Sequence, residues 1–423
     1  MTFRMPGATA IAAALLAIAT PATVVLAPAA MAQKGPAVPP GTVTLPKGMV
    51  QPMKDAVAAI AAKDYVTAKA KLDLADTFAV APGDHVQVER LRLNIAAQLA
   101  DAAGQLKSIN MLLASGLTTP EDNKLYKGAL GSIYKALGDD ANSLKYDRAF
   151  LDEYPGTPDQ LISMADRLHK ATPPDIAGSI IYADKAIAAK KATGATVSES
   201  WYRLQMSNII KPMDWDKYVP LMQQLITDYP TDEYKRDAFL RAQDADHYKE
   251  SVMELDMYRG QIGAGVVLDD KQVSIAADEA IKRGLPNEAL LLLQASEAQG
   301  GLTRELDKQN LASAKRLVVS DKASIAKETT TALTKGDVEA LTALGEAHMS
   351  YGDYAKAIEV LNAALAKGIA DPGEAALAQL HLGIAQYKSG DVEAAKATWA
   401  KVDSDNGAAA IAKGWIITAN VKK

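Results

Sequence analysis

The 423-residue chain contains no cysteine. That excludes a disulfide framework, a thiolate metal site, a cysteine nucleophile and a lipid-bearing anchor cysteine. Histidine is scarce: His85, His169, His247, His348 and His381 lie far apart, and no two have the spacing of a helix-borne metal pair. Aromatic residues make up only 5% of the chain. Alanine is abundant instead; it is the best helix former, and small side chains suit helices packed closely. Basic residues are in no excess. The formal net charge is -5, without the basic patch or stripe that a nucleic-acid binder needs. Sustained alternation of apolar and polar residues is also missing, and Gln261 to Leu268 is the one short strand-like piece. Neither a Gly-x-Ser-x-Gly elbow nor a phosphate loop ending in Gly-Lys-Ser/Thr is present. No catalytic, cofactor-binding or metal-binding residue is nominated.

The amino terminus reads as an address. Arg4 is the only charge before Lys34, Ala8 to Ala32 is almost wholly apolar or small, and the run ends Ala30-Met31-Ala32. A positive start, an apolar run and a small-x-small ending describe a secretory signal over residues 1–32, cut before Gln33. The competing reading is an uncleaved anchor, but Pro21 and Pro28 interrupt the run. Residues 33–47 are a Pro/Gly-rich linker, with Pro36, Pro39, Pro40 and Pro46. No later charge-free run reaches membrane-spanning length, so the mature chain is expected not to span a membrane. The alanine-rich signal suits export to the periplasm of a Gram-negative bacterium.

What is present is a repeat. Leu344-Gly345 is followed by Gly352-Asp353-Tyr354, Ala357, Leu361 and Ala364; 38 residues on, Leu382-Gly383 is followed by Gly390-Asp391-Val392, Ala395, Trp399 and Val402. Glycine and alanine at these offsets mark where two helices cross closely, and Gly352 and Gly390 end first helices. The pattern resembles the tetratricopeptide repeat, a 34-residue helix-turn-helix unit. The resemblance is strongest over 338–402. It continues over 123–230 through Leu130-Gly131, Gly138-Asp139, Pro155, Trp201, Tyr218 and Pro230, with Ser143 and Gln205 where small residues are usual. Lys63-Asp64-Tyr65 with Ala68, Leu72 and Ala75, and Leu285-Pro286 with Ala289 and Leu293, give second helices elsewhere. The family implies an all-α solenoid, a right-handed superhelix of antiparallel helix pairs.

Helix punctuation agrees. Thr119-Pro120, Thr157-Pro158 and Asp371-Pro372 place a cap before a first-turn proline, with Gln160 and Glu374 three residues after their caps. The expected organisation is a helical lobe over 48–245, a hinge or irregular loop over 246–269, and a second lobe over 270–423 with a terminal capping helix. Gly260, Gly263 and Gly265 are spaced G-x-x-G-x-G, which is not the dinucleotide fingerprint, and read as a flexible connector. Asp244, Asp246, His247 and Glu250 form a compact cluster that reads as a solvated helix face, with a metal or acid–base site as the alternative.

Stacked repeats form a concave surface. In the family, first-helix residues line it, which implies Thr342, Glu346, Met349, Leu380, His381, Ile384 and Tyr387 as partner-groove candidates. Tyr202 and Met206 mark a second apolar face. Leu380, Ile384 and Tyr387 are alternatively covered by the terminal helix, the reading preferred here. Thr342, Glu346 and His381 stand where some family members carry a carboxylate clamp, so that clamp is absent. The resemblance therefore implies a non-catalytic scaffold in the cell envelope that binds a partner protein or peptide. The alternatives are an envelope glycan-acting enzyme and a small-ligand binder using the 246–269 region.

Overall fold

The computed structural model describes residues 45–211 and 213–420, with the side chains of Glu250 and Ser251 excepted; the signal segment and most of the linker lie outside the described residues. Among the described residues every regular element is helical, in twenty α-helices and one 3-10 turn. On either side of residues 193–194 consecutive helices pack on one another, the architecture of a tetratricopeptide-like α-solenoid. Contacts divide the chain into two compact units, at Thr193/Gly194.

The first unit holds four helix pairs: α1 (Lys47–Ala61) with α2 (Tyr65–Asp76), α3 (Pro82–Gln98) with α4 (Ala102–Ala114), α5 (Pro120–Ala136) with α6 (Asp140–Glu153), and α7 (Pro158–His169) with α8 (Ile176–Ala192). Each second helix starts in the same way. Asp64, Asp101, Asp139 and Asp175 accept the backbone N–H three residues on, satisfying an amide that the helix leaves unpaired. The interior follows the expected positions: Ala68, Leu72 and Ala75 of α2 are fully buried against α1 and α3.

The second unit contains α9 (Glu199–Ile209), α10 (Trp215–Asp228), α11 (Asp232–Leu240), a 3-10 turn (Arg241–Asp244), α12 (Glu250–Gly263), α13 (Asp270–Lys282), α14 (Pro286–Ala298), α15 (Glu305–Lys335), α16 (Val338–Ser350), α17 (Tyr354–Lys367), α18 (Pro372–Lys388), α19 (Val392–Trp399) and α20 (Ala408–Thr418). The clearest repeats fold as their small residues require. A side-chain carbon on Gly345 would lie 2.5 Å from Leu361 Cγ, and one on Gly383 would lie 2.3 Å from Trp399 Nε1. Leu344, Leu382, Ala357 and Ala395 are buried, and Gly352 and Gly390 take positive φ (75° and 98°) where first helices end. The capping box at Thr157 is closed by Gln160, and Asp122 closes another at Thr119. At Asp371 the structure shows only the N-cap half, the Glu374 amide donating to the aspartate.

Two expectations are corrected. The segment 246–269 is not a hinge: α12 occupies its centre, and the division between units falls some fifty residues earlier, at Thr193/Gly194. Gly260 and Gly263 serve close approach, while Gly265 takes a positive φ (84°) where the helix ends. A side-chain carbon on Gly260 would lie 2.2 Å from Phe239 Cε1, and one on Gly263 2.1 Å from Trp415 Cη2. The strand-like piece at 261–268 is the end of this helix and the coil after it. Helix α20 packs on α18 and α19, as the capping reading holds, and also on α10, α11 and α12. The last helix of the unit thus returns to helices near its start. Trp415 stacks on Trp399 at 5.3 Å, with Tyr387 at 5.4 Å and Phe239 edge-on at 6.0 Å.

A buried ion network as the candidate functional site

Helices α12, α13, α14, α16 and α18 bring six charged or titratable side chains together inside the second unit. Asp256 and Arg259 sit one turn apart on α12 and face inward. Arg259 is the hub. Its Nη1 donates to Asp256 Oδ1 at 2.7 Å and to Glu346 Oε2 at 2.8 Å, while Nε and Nη2 clasp Glu288 at 2.8 and 2.5 Å. Such a two-point clasp is the geometry in which a planar guanidinium binds a carboxylate most firmly. Arg283, one residue past α13, spans Asp256 Oδ2 and Glu346 Oε2 at 3.2 Å each and donates to the Val252 carbonyl. His381 Nε2 lies 2.9 Å from Asp256 Oδ1, and Nδ1 lies 3.7 Å from Glu346 Oε1.

Asp256 has no exposed surface and the Arg259 side chain only 9%. Burial alone would push the Asp256 carboxyl up; His381, Arg259 and Arg283 outweigh it and hold it well below the ordinary carboxylate range. Glu346 is lowered in the same way, against burial and the Asp256 charge. Burial works against the Arg259 charge, but Glu288, Asp256 and Glu346 hold its pKa well above the ordinary value. Asp256, Glu346, Arg259 and Arg283 are therefore charged and paired at the centre of five helices. Paired charges in low dielectric define which partners are allowed more than they add net stability. Asp256, Glu346 and His381 also place one potential ligand atom each within 4.8 Å of the others, the spacing of a divalent-metal triad.

Sequence reasoning placed Glu346 and His381 on one face of neighbouring first helices, and the structure brings them together. Asp256 and Arg259 fall in the stretch 246–269 that reads as a connector, and Arg283 and Glu288 look like ordinary surface charges because their partners lie 27 to 63 residues away. The i, i+3 pair Asp256/Arg259 among Leu255, Tyr258 and Ile262 was the available helical signal. The other groove candidates are corrected. Leu380, Ile384 and Met349 are buried within the chain, and so is Tyr202, whose hydroxyl donates to Asp228. Tyr387 packs on Trp399 and Trp415. Thr342, Met206 and Tyr387 keep a share of surface, and Thr342 spends its hydroxyl on the Glu339 carbonyl. The physical reason is that α12 and α20 supply, from inside the unit, the apolar cover that a groove would have offered to a partner.

The acid–histidine cluster does not form a helix face. Residues 245–249 are not helical; Asp244 pairs with Arg241, and exposed His247 pairs with Asp405 at 2.7 Å. The Glu250 side chain lies outside the described residues.

A second feature lies in the first unit. A cleft of about 380 Å³ opens between the start of α3 and the end of α4, lined by Val80, Val86, Met111 and Leu112 with His85 and Glu89. Val80 is 84% exposed and Met111 44%, while Phe78 and Leu117 stand exposed on the adjoining inter-helix turns.

A family model described as tetratricopeptide repeat matches residues 377–405, which hold most of α18 and all of α19. Comparison with curated proteins gives no match. Among solved structures, the chain is similar to one titled "Structure of Naa15/Naa10 bound to HypK-THB", at 16% identity and a TM-score of 0.29, over 83% of this chain. It spans 57% of the length of that chain. The family match falls on the second of the two clear copies, and paired helices recur through both units on the same small-residue and Asp-cap pattern. Residues 377–405 thus match a tetratricopeptide repeat, and the paired helices around them follow the same helix-turn-helix plan.

Proposed function

We propose that this protein is an exported, non-catalytic scaffold of the cell envelope that holds a partner protein through the apolar cleft of its first unit. The observation that carries the reading is the exposure of large apolar side chains around that cleft. Val80, Phe78 and Leu117 stand exposed on neighbouring turns, and Met111 stands exposed on α4. Isolated exposed apolar residues are ordinary, but a group of them beside a cavity marks an interaction surface. The second unit supports the division of labour: its inward face is filled by the ion network and the Trp415 cluster, and so contributes stiffness. Export rests on the amino-terminal signal, and a periplasmic location follows from its composition.

The test is a pull-down from envelope extract with the chain from Gln33 onward, beside a V80D/M111D variant with unchanged helical circular dichroism. Recovery of one stoichiometric protein by the wild type and its loss from the variant supports the reading. Equal recovery by both removes the cleft. Hydrolysis of purified cell-wall glycan by the chain, with no protein recovered, overturns the scaffold role.

A further inference from the structure

We infer that the cleft of the first unit takes an apolar side chain flanked by lysine or arginine, so that the partner docks a cationic, apolar segment of its chain there; this rests on the reading of the cleft as the docking site. Pro82, His85, Val86 and Glu89 follow one another at helical spacing along one face of α3 and form one wall. Met111 and Leu112, at the end of α4, stand on the other. Glu89 is the exception in this apolar lining. It is only 3% exposed, and its Oε1 accepts from Arg92 Nη1 at 2.7 Å. Its Oε2 has no hydrogen-bond partner among the described residues. A buried carboxylate oxygen left unpaired carries the full cost of its lost hydration, and a donor seated in the cleft removes that cost.

The surrounding charge points the same way. Arg92 is shared by three carboxylates: besides Glu89, Nη1 donates to Asp76 Oδ2 at 3.0 Å and Nη2 to Asp73 Oδ1 at 2.7 Å. His85, a lining residue, sets its Nδ1 2.7 Å from Asp76 Oδ1. One guanidinium thus answers three acids, and the set stays negative whether His85 is neutral or protonated. Asp84 adds a fourth carboxylate, which accepts from the amides of Val80 and Ala81 at the cleft mouth. On α4, Lys107 is the only base and there is no acid, so the balance remains negative with both helices counted. Beside apolar walls such a field attracts a cation and repels an acid more strongly than in open water. At about 380 Å³ the cleft is at the small end of binding sites, so a short segment fills it.

The experiment is fluorescence anisotropy at low salt with two rhodamine-labelled peptides, Gly-Lys-Leu-Phe-Lys-Gly and Gly-Glu-Leu-Phe-Glu-Gly, titrated with the chain from Gln33 onward. The lysine probe is expected to bind at least about tenfold more tightly than the glutamate probe, an advantage that shrinks as salt is raised to about 0.5 M. E89Q keeps the size of the side chain and is expected to weaken the lysine probe about fivefold or more, without weakening the glutamate probe. Equal binding of the two probes overturns the assignment, as does binding of neither. Folded E89Q that holds the lysine probe as tightly as the wild type does overturns it too. The comparison of probes needs only the wild type, so it decides the matter even where E89Q does not fold. Two other occupants have their own signatures. Lysine-probe binding seen only in a chain that starts at Leu45 assigns the cleft to the linker that carries Lys34, and self-association lost in V80D/M111D assigns it to a second copy; either overturns a partner. Recovery in the pull-down of a partner whose docking segment is acidic, released by V80D/M111D, keeps the docking site and overturns only its cationic specificity.

Discussion

The return of α20 onto the early helices of the second unit makes a sharp prediction at Trp415 and Gly263. Trp415 is 1% exposed and touches three aromatic rings, so Trp415→Ala removes a fully buried indole that little nearby can replace. Large aromatic-to-alanine truncations cost about 3–5 kcal/mol, and the loss of stacked and edge-on partners puts this one at the upper end. For a unit of this size, each kcal/mol lowers the melting temperature by about 2–4 °C, so the expected fall is roughly 8–20 °C. Gly263→Ala acts from the other side. Its new methyl would sit 2.1 Å from Trp415 Cη2, an overpacking worth about 1–3 kcal/mol. In the Trp415→Ala background the clash is gone, and the helix preference of alanine over glycine, about 0.5–1 kcal/mol, acts alone. The second substitution should then become neutral or stabilising. The assay is a four-protein cycle by thermal and urea melts followed by circular dichroism, which isolates the pairwise term. If Gly263→Ala costs the same in both backgrounds, the helix does not dock through this contact.

Two further outcomes follow from charges. Because Asp256 and Glu346 are held below their ordinary values of 3.8 and 4.5, the unfolded chain binds more protons than the folded one in mild acid. Their contribution is then fully present above about pH 5 and lost as pH falls through the folded values, so the melting temperature should drop below pH 5, more steeply in wild type than in D256N/E346Q; parallel profiles would remove the network as the cause. In the first unit, Arg90 of α3 pairs with Asp122 of α5 at 2.6 Å, with side chains 8% and 22% exposed. Arg90→Met leaves that carboxylate without its cation and should cost about 3 kcal/mol, the low end for a broken buried pair because Asp122 keeps some contact with water; a loss under about 0.5 kcal/mol in a urea melt would show the pair to be ornamental.

The features legible in the sequence are those whose partners lie close along the chain. Gly345 meets Leu361, and Gly383 meets Trp399, each sixteen residues on across one short turn, so spacing alone exposes the crossing. Asp64, Asp353 and Asp391 cap second helices through amides three residues away, and the sequence shows them as the Asp of an Asp-Tyr or Gly-Asp pair before a periodic run. Local rules of this kind carry helix order and type without knowledge of the fold. The glycines at 260 and 263 fall outside them. Locally they weaken a helix, which is why 246–269 reads as a connector; their reason is Phe239 and Trp415, the latter some 150 residues downstream.

The ion network lies beyond local reading for the same reason, carried further. Asp256 and His381 are 125 residues apart, and Arg259 and Glu346 are 87 apart. Each looks like an ordinary helix-surface charge until α12 is placed against α16 and α18. Family analogy puts Glu346 and His381 on the inward face of first helices and assumes that this face is open. In an extended solenoid an inward charge meets water or a partner. Here α12 enters the space and brings its own counter-charges, so the same residues become mutually satisfied. A solenoid can bury polar inward positions in this way only if the entering helix supplies complementary charge at the right heights. Asp256 and Arg259, one turn apart on one face, do that for His381 and Glu346, the first-helix residues of two successive repeats. The repeat register that spaces those first helices therefore also sets where on α12 an acid and a base must stand, which makes the network a consequence of repeat geometry as much as of local chemistry.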